Sequence, residues 1–357
     1  MWDINHRIRG AADLRHLVNL RYLVKWKLGW IVAMVLTVLT AAIPREVSAQ
    51  DGPVERFGEI VTSGRYVLRW GMQQGQKFSV ESIQETVTEI EGPLGKSGKM
   101  PSALTVQQDW EVSESDESSL TLIQTFRQLK LETTIPGAGN FSVVVPGPEP
   151  ESLIAKQIHA NLNELIGRQI RLQMDRLGQV KKFEFLELPV TDAAPAANQF
   201  LTKENLKNAV GQMVQFPKST RAIGETWGIM IKAPQPNGTA EVNTEFTLME
   251  TLPDQPRWIK ISVAPKLTLN VKDDVVTVDD QSSEGHIVYD DELALVRETR
   301  LKQSFTFTVK GENGGKRTIE STMRMTIEPI TNLARVESTT DGNNSGPASL
   351  ESEKSDK

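Results

Sequence analysis

From Arg65 to about Pro329, apolar and polar side chains alternate along most of the chain. Alternation puts every second residue on one face of an extended backbone, so it predicts strands with one buried and one wet face. Tyr66–Trp70, Phe78–Ile83 and Thr86–Ile90 read this way, and Leu104–Val112, Leu120–Phe126 and Leu129–Ile135 follow. They are rich in Thr, Val, Ile and aromatic residues, which suit a pleated, half-buried surface. Between them stand Gly-Pro, the Gly-Lys-Ser-Gly of residues 95–98 and the Ser- and Glu-rich residues 113–119, all turn or loop chemistry.

Pro146-Gly147-Pro148-Glu149-Pro150 stops the alternation, and the apolar period then changes. Leu153, Ile154, Ile158, Leu162, Leu165 and Ile166 share one helical face, and Gly167 supplies a C-terminal stop, so a helix is expected near 151–167. Ile170–Met174 and Val180–Leu186 read as a hairpin around Asp175-Arg176-Leu177-Gly178. An Ala/Pro-rich connector, Asp192–Asn198, leads to a second expected helix with Thr202 as its cap and Leu206, Val210 and Met213 as its stripe. After Pro217 the alternation returns in Thr226–Ile231, Ala240–Glu250, Trp258–Val263, Leu267–Val271, Gly285–Tyr289, Ala294–Phe307 and Arg317–Ile327. The Gly-Glu-Asn-Gly-Gly of residues 311–315 is a hairpin signal.

The two β stretches share an order of motifs. Gly75-Gln76-Lys77-Phe78 matches Gly224-Glu225-Thr226-Trp227, the strand Val106–Val112 matches Val242–Leu248, and Met174–Val180 matches Tyr289–Leu295. This predicts an internal repeat. The expected fold is mainly β with two helices, an α+β arrangement of two related antiparallel half-barrel sheets. A single sheet cannot cover its own apolar face, so the halves are expected to close on one another. The organisation reads as a linker at 50–64, a first β half at 65–190, a connector and helix at 191–216 and a second β half at 217–330. Residues 337–357 hold five acids and two bases with almost no apolar side chain, which predicts a disordered acidic tail.

The leader breaks the pattern differently. Residues 1–29 carry six Lys and Arg against two Asp, and fourteen largely apolar residues follow from Trp30 to Ile43. Pro44 and the small residues Ser48 and Ala49 come next. A basic region, an apolar run and small residues before a cut compose a secretory signal peptide over residues 1–49, cleaved between Ala49 and Gln50. The alternative is a retained single-pass membrane anchor at residues 23–43, which must bury Lys25 and Lys27, because fourteen helical residues span only ~21 Å of a ~30 Å hydrocarbon core. Either way the remainder lies outside the cytoplasm, periplasmic or extracellular, with its positive flank inside.

Composition then narrows the chemistry. The chain has 357 residues and no cysteine, which excludes disulfides, thiolate metal sites, thiol nucleophiles and a lipid-modified N-terminal cysteine. Beyond residue 49 there are 33 Lys and Arg against 43 Asp and Glu, a net of −10. That balance disfavours nucleic acid as a partner.

The G-x-x-[FW] turn of Gly224–Trp227, the Thr-rich strands and the Gly285-His286-Ile287-Val288-Tyr289-Asp290 turn together resemble an uncharacterised family of exported bacterial β-rich proteins of unknown function. The likeness spans roughly Arg65 to Pro329 and brings no catalytic residues with it. At fold level the arrangement is similar to periplasmic carriers of lipoproteins and lipids, an analogy of architecture and not of site.

Catalytic equipment is thin. His159 and His286 are the only histidines beyond the leader, one on the first helix and one beside Gly285, so no metal site is expected. Asp273-Asp274, Asp279-Asp280 and Asp290-Asp291-Glu292 lack the spacing of a calcium loop and read as solvated turns. The Gly-Lys-Ser of residues 95–97 has no phosphate-loop glycine upstream. No G-x-S-x-G elbow occurs, and Trp70, Trp110, Trp227 and Trp258 sit in strand patterns that suit core packing. Catalytic, cofactor-binding and metal residues are therefore all expected to be none. The expected function is a non-enzymatic cell-envelope module that binds a lipid, an apolar or extended ligand, or an envelope protein. The alternatives are a carboxylate-dependent hydrolase of envelope glycans and a structural scaffold with edge strands that pair to partners.

Overall fold

The computed structural model describes residues 64–91, 97–135, 139–186, 214–235, 238–271, 276–310 and 315–330. The leader with Ala49 and Gln50, the linker up to residue 63, the second expected helix from Thr202 to Met213 and the acidic tail lie outside the described residues.

The first half runs β1 (Arg65–Tyr66), β2 (Lys77–Glu91), β3 (Ser97–Ser115), β4 (Ser119–Ile135), β5 (Gly139–Val145), helix α1 (Leu153–Asn163), β6 (Gln169–Asp175) and β7 (Val180–Phe185). The second half runs β8 (Arg221–Ala222), β9 (Thr226–Gln235), β10 (Gly238–Leu252), β11 (Gln255–Val271), β12 (Val276–Asp290), β13 (Leu295–Val309) and β14 (Gly315–Pro329). All pairings are antiparallel. β1 pairs with β8. The other twelve strands form one sheet in the order β7-β6-β4-β3-β2-β14-β13-β12-β11-β10-β9, with β5 also on β4. Among the described residues no pairing joins β9 back to β7 or β5, so the sheet does not close into a barrel.

This corrects the expected pair of half-barrels facing each other. The halves meet edge to edge, because β14 pairs with β2 from Lys316 opposite Glu91 to Pro329 opposite Phe78. Which strands pair across more than two hundred residues is invisible to local alternation. Several strands are also longer than the local pattern suggested. Phe78–Ile83 and Thr86–Ile90 are one strand, β2, and Leu120–Ile135 is one strand, β4, whose break at Arg127 is a bulge opposite Gln107 and Gln108. β4 serves two partners in turn: Ser119–Thr125 pairs with β6 and Leu129–Ile135 with β5. Helix α1 lies between them in sequence. Ser152 caps it, its Oγ accepting the Ala155 N–H at 3.1 Å; Leu162 in its last turn packs against the core, as do Leu165 and Ile166 in the turn that follows.

The core fills one end of the sheet. Phe78 and Val80 of β2, Trp110 and Val112 of β3, Leu120 and Leu122 of β4, Ile259 and Ile261 of β11, and Ile327 of β14 are all buried. The face bearing them is the inner face. Two stretches cross this end. In the first, Leu68, Trp70 and Met72 are each at most 2% exposed, and Phe216 of the second packs 5.9 Å from the Trp70 ring and 5.2 Å from that of Tyr289. Alternation in Tyr66–Trp70 had predicted a strand. The residues are extended with one face buried, but only Arg65 and Tyr66 join a ladder.

The crossing stretch finds its backbone partners elsewhere. Trp70 N–H donates to Arg176 O and Gly71 N–H to Ala294 O, both at 2.8 Å. The Tyr289 hydroxyl donates to Arg69 O at 2.8 Å and accepts from Arg69 N–H at 3.2 Å. The buried Arg176 guanidinium donates to Trp70 O and Met72 O, both at 3.0 Å, to Asp116 O, and to Ser115 Oγ at 2.7 Å. The stretch thus spans the β6–β7 turn of one half and the β12–β13 turn of the other.

The two halves share local detail around it. Gly75 N–H donates to Val112 O and Val112 N–H to Gln76 O; Gly224 N–H donates to Leu248 O and Leu248 N–H to Glu225 O. Phe78 stands opposite Trp110, and Trp227 opposite Phe246. Asp175 Oδ1 accepts from the N–H groups of Leu177 and Gln179, and Asp290 Oδ1 from those of Glu292 and Leu293.

Two substitutions test this end of the molecule. Arg176→Met removes the guanidinium donor from the buried Trp70 carbonyl and from Met72 O, Asp116 O and Ser115 Oγ, so stability falls by about 2–4 kcal/mol, read from the urea midpoint. Gly178 has φ +87°, and a Cβ there would lie 2.2 Å from Val214 O and 2.8 Å from Trp70 Nε1. Gly178→Ala therefore costs more than the roughly 1–2 kcal/mol of a left-handed L-residue, and the Trp70 fluorescence emission shifts to the red as the indole loses its bond to Val214 O.

Candidate functional site

Two surfaces offer themselves, one on each face of the sheet. On the inner face, beyond the core, the register lines side chains up in rows across the strands. One row runs Leu131, Leu104, Gln84, Met323, Leu301, Gly285, Val263 from β4 to β11. It is apolar except for Gln84, and Leu131, Leu104, Met323 and Leu301 are only half-buried. The next row runs Thr133, Ser102, Thr86, Ser321, Gln303, Ser283, and every member is polar and uncharged. Thr86 Oγ1 donates to Ser321 Oγ at 3.3 Å and Gln84 Nε2 to the same oxygen at 3.4 Å. The row after that is mixed: Met100, Ile319 and Phe305 are buried, but Thr88 stands between Met100 and Ile319, and Gln281 lies beyond Phe305. A band of neutral hydroxyl and amide groups therefore crosses a surface that is largely apolar on its core side and mixed, but still uncharged, on the other. Nearer the core, the Gln124 amide is fully buried, and neither its oxygen nor its nitrogen has a hydrogen-bond partner among the described residues. An unpaired buried amide costs roughly 1–3 kcal/mol until something pairs with it.

The outer face carries a groove of about 780 Å³ over β2 and β10 to β14. Its central row is Ser262, His286, Arg300, Arg324, Ile83, each directly opposite the next. Arg300 and Arg324 face each other, an arrangement that costs stability unless something offsets the repulsion. Glu298 does so in part: Arg300 Nε donates to its Oε1, Arg324 reaches Oε2 at 3.6 Å, and His286 Nε2 stands 3.9 Å from Oε1. Lys260 and Lys302 line the same groove and form no ion pair with any described residue. Glu85 and Glu284 are the carboxylates in the lining itself, with Met249 exposed at one side. Burial, and then the Lys260 charge, hold the His286 imidazolium below its usual range; Glu298 opposes this and Arg300 adds to it.

His286, expected as a lone strand residue, is thus at the centre of a charged cluster. Nothing in its local sequence signals this, because Lys260, Glu298, Arg300 and Arg324 come from three other strands. Ser262 lies opposite His286, but no hydrogen bond joins them, and the backbone here is committed to the ladder, which leaves no N–H pair for an oxyanion. His159 sits far away on α1, with Nε2 3.0 Å from Gly147 O.

The acidic pairs resolve differently. Asp290 is a turn acceptor, Asp291 is pushed up by burial, and Glu292 pairs with Arg257 at 3.0 Å. Asp279 and Asp280, expected in a turn, lie within β12 at a bulge. Asp273 and Asp274 lie outside the described residues. Among the described residues no three His, Asp or Glu side chains converge as a metal-binding group, and no helix is long and apolar enough to cross a membrane. Trp70, Trp110 and Trp227 are core residues, while Trp258 is half-buried beneath Arg297, 5.5 Å from its ring.

No protein-family model and no curated protein matches the chain. Among solved structures it is similar to lipovitellin, described for its lipid–protein interactions, at 13% identity and a TM-score of 0.40; the match covers 72% of this chain and 25% of that one. This chain thus spans about a quarter of the lipovitellin chain. It is also similar to an outer membrane channel from Pseudomonas putida, at 6% identity and a TM-score of 0.25, over 76% of this chain and 100% of that one. A DUF1329 family protein from Desulfovibrio piger matches at 8% identity and a TM-score of 0.14, over 86% of this chain and 94% of that one. These likenesses concern β architecture alone.

The depressed His286 pKa has a sign that can be checked. Above its ordinary value of about 6.5 the ring is neutral in both states and its contribution to stability is constant. Below that value the unfolded chain takes the proton first, so stability falls as pH falls towards the folded-state pKa. Denaturant unfolding at pH 7.5 and 5.5 should show a larger loss for the native chain than for His286→Gln.

Proposed function

We propose that this chain is a non-catalytic binding module of the cell envelope that holds an extended, largely apolar ligand along the inner face of its sheet. The observation that carries this reading is the row pattern beyond the core. Half-buried Leu131, Leu104, Met323 and Leu301 flank an uncharged band from Thr133 to Ser283. Apolar surface of this kind gains roughly 25 cal/mol per Å² when a ligand covers it. Neutral hydroxyls and amides suit the ester, amide or hydroxyl groups of an uncharged lipid segment, and they carry no charge to desolvate. The unpaired Gln124 amide adds a further polar group on the same face.

Export is part of the reading. The basic, then apolar leader ending near Ala49 supports delivery across a membrane, whether it is cut at Gln50 or retained. The matched closures at Gly75 and Gly224, and the matched turns at Asp175 and Asp290, support the two halves being copies of one β unit.

Native mass spectrometry of the purified chain is expected to find a co-purifying lipid-sized adduct, and the neutral dye Nile red should gain fluorescence on binding. Leu104→Glu, a charge set in the apolar row, should abolish both while leaving the far-ultraviolet circular dichroism unchanged. A chain that carries no adduct and does not bind the dye would overturn the proposal.

A further inference from the structure

We infer that the outer groove is a second binding site, specific for a phosphate-type oxyanion held between Lys260, His286 and Arg300. The site is independent of the inner face, because these three side chains project from the opposite side of β11, β12 and β13.

The argument is geometric. Three adjacent strands place Lys260, His286 and Arg300 around one position, and Arg324 extends the row on β14. With Lys302, four permanent cations (Lys260, Arg300, Lys302 and Arg324) line this groove of about 780 Å³ beside His286. Only Glu298 is tied to the central row, and it is shared among Arg300, Arg324 and His286. Glu284 stands opposite Lys302, and Glu85 accepts from Thr322 Oγ1 at 3.4 Å, so both lie one row away from His286. Such a concentration of cations stands out on a chain whose overall charge is −6. Directly opposed arginines are a local cost of the kind that proteins retain at functional sites. An oxyanion would relieve it. Its oxygens would accept from the Lys260 ammonium, the Arg300 guanidinium and the His286 ring, all charge-assisted or short donors. The neighbouring Ser262 hydroxyl supplies a further donor, and Ile83 and Met249 give an apolar flank that an attached chain or ring can cover.

A bound oxyanion also changes the electrostatics at His286. The depressed imidazolium then gains a negative neighbour, so its pKa rises on binding and affinity increases as pH falls. The groups facing His286 that set this dependence are Lys260, Glu298 and Arg300, with Arg324 beyond them.

The test uses the chain with its histidine ring carbons labelled, followed by nuclear magnetic resonance during titration with inorganic phosphate. Saturable shifts at His286 with an upward move of its pKa, and no change at His159, are expected. Lys260→Gln and Arg300→Gln should each weaken binding about tenfold, the loss of one charge-assisted contact. Lys181→Gln, on β7, should bind as the native chain does. A second arm measures co-sedimentation with vesicles of phosphatidylglycerol and with vesicles of phosphatidylcholine. Binding to the anionic vesicles alone, lost in Lys260→Gln, assigns the oxyanion to a lipid headgroup. Phosphate binding without vesicle binding assigns it to a soluble phosphate. The inference is overturned if neither probe perturbs His286, or if Lys260→Gln and Arg300→Gln, folded by circular dichroism, bind as tightly as the native chain. These outcomes are independent of any adduct on the inner face.

Discussion

The buried guanidinium of Arg176 holds together what the sheet cannot hold by itself. A stretch from Leu68 to Met72 lies across the end of the sheet without a ladder partner, and its side chains are among the most buried in the molecule. Backbone groups buried without partners would cancel much of that apolar gain. Arg176 answers with donors to Trp70 O, Met72 O and Asp116 O, and Tyr289 answers with a hydroxyl that both donates to and accepts from Arg69. Burial lowers the pKa of Arg176, with Asp116 opposing, yet a guanidinium stays charged and suits a site where several carbonyls converge. Asp116 is in turn fixed by four hydrogen bonds from Ser118 and Ser119, which hold its carboxyl well below the usual range.

This closure has consequences far from itself. Once the crossing stretch and Phe216 fill one end, the long strands need no second sheet to cover them there. The halves join edge to edge through β2 and β14, and buried side chains of both enter one core cluster with the crossing stretch. Joining them this way leaves two extensive faces. The inner one carries, beyond the core, apolar side chains interrupted by neutral polar ones. The outer one gathers the charges, and among them a cation-rich groove. One architecture thus separates two chemistries by nothing more than the period-two pleat.

Part of this was legible in the chain. Alternation located nearly all the long strands, and the change of period after Pro150 located helix α1, because both signals are local. The turn residues around Asp175 and Asp290 were visible as similar motifs, and they accept similar hydrogen bonds. Strand β5 was missed because Gly139–Val145 follows a turn closely and its alternation is short. Tyr66–Trp70 was misread for a more instructive reason. An extended chain with one face buried alternates whether its backbone partners are a neighbouring strand or an arginine and a tyrosine.

The sequence by itself determined the mainly β class, the positions of most strands, the change from strand to helix and the lack of cysteine chemistry. All of these follow from the residue types and their spacing over a few turns or strands. The tertiary structure decided that β14 pairs with β2, that a lone arginine anchors the crossing stretch, and that His286 sits among Lys260, Glu298, Arg300 and Arg324. Those facts depend on register between strands up to 251 residues apart, as Phe78 and Pro329 are, and a one-residue slip in any of them would send every side chain of that strand to the other face.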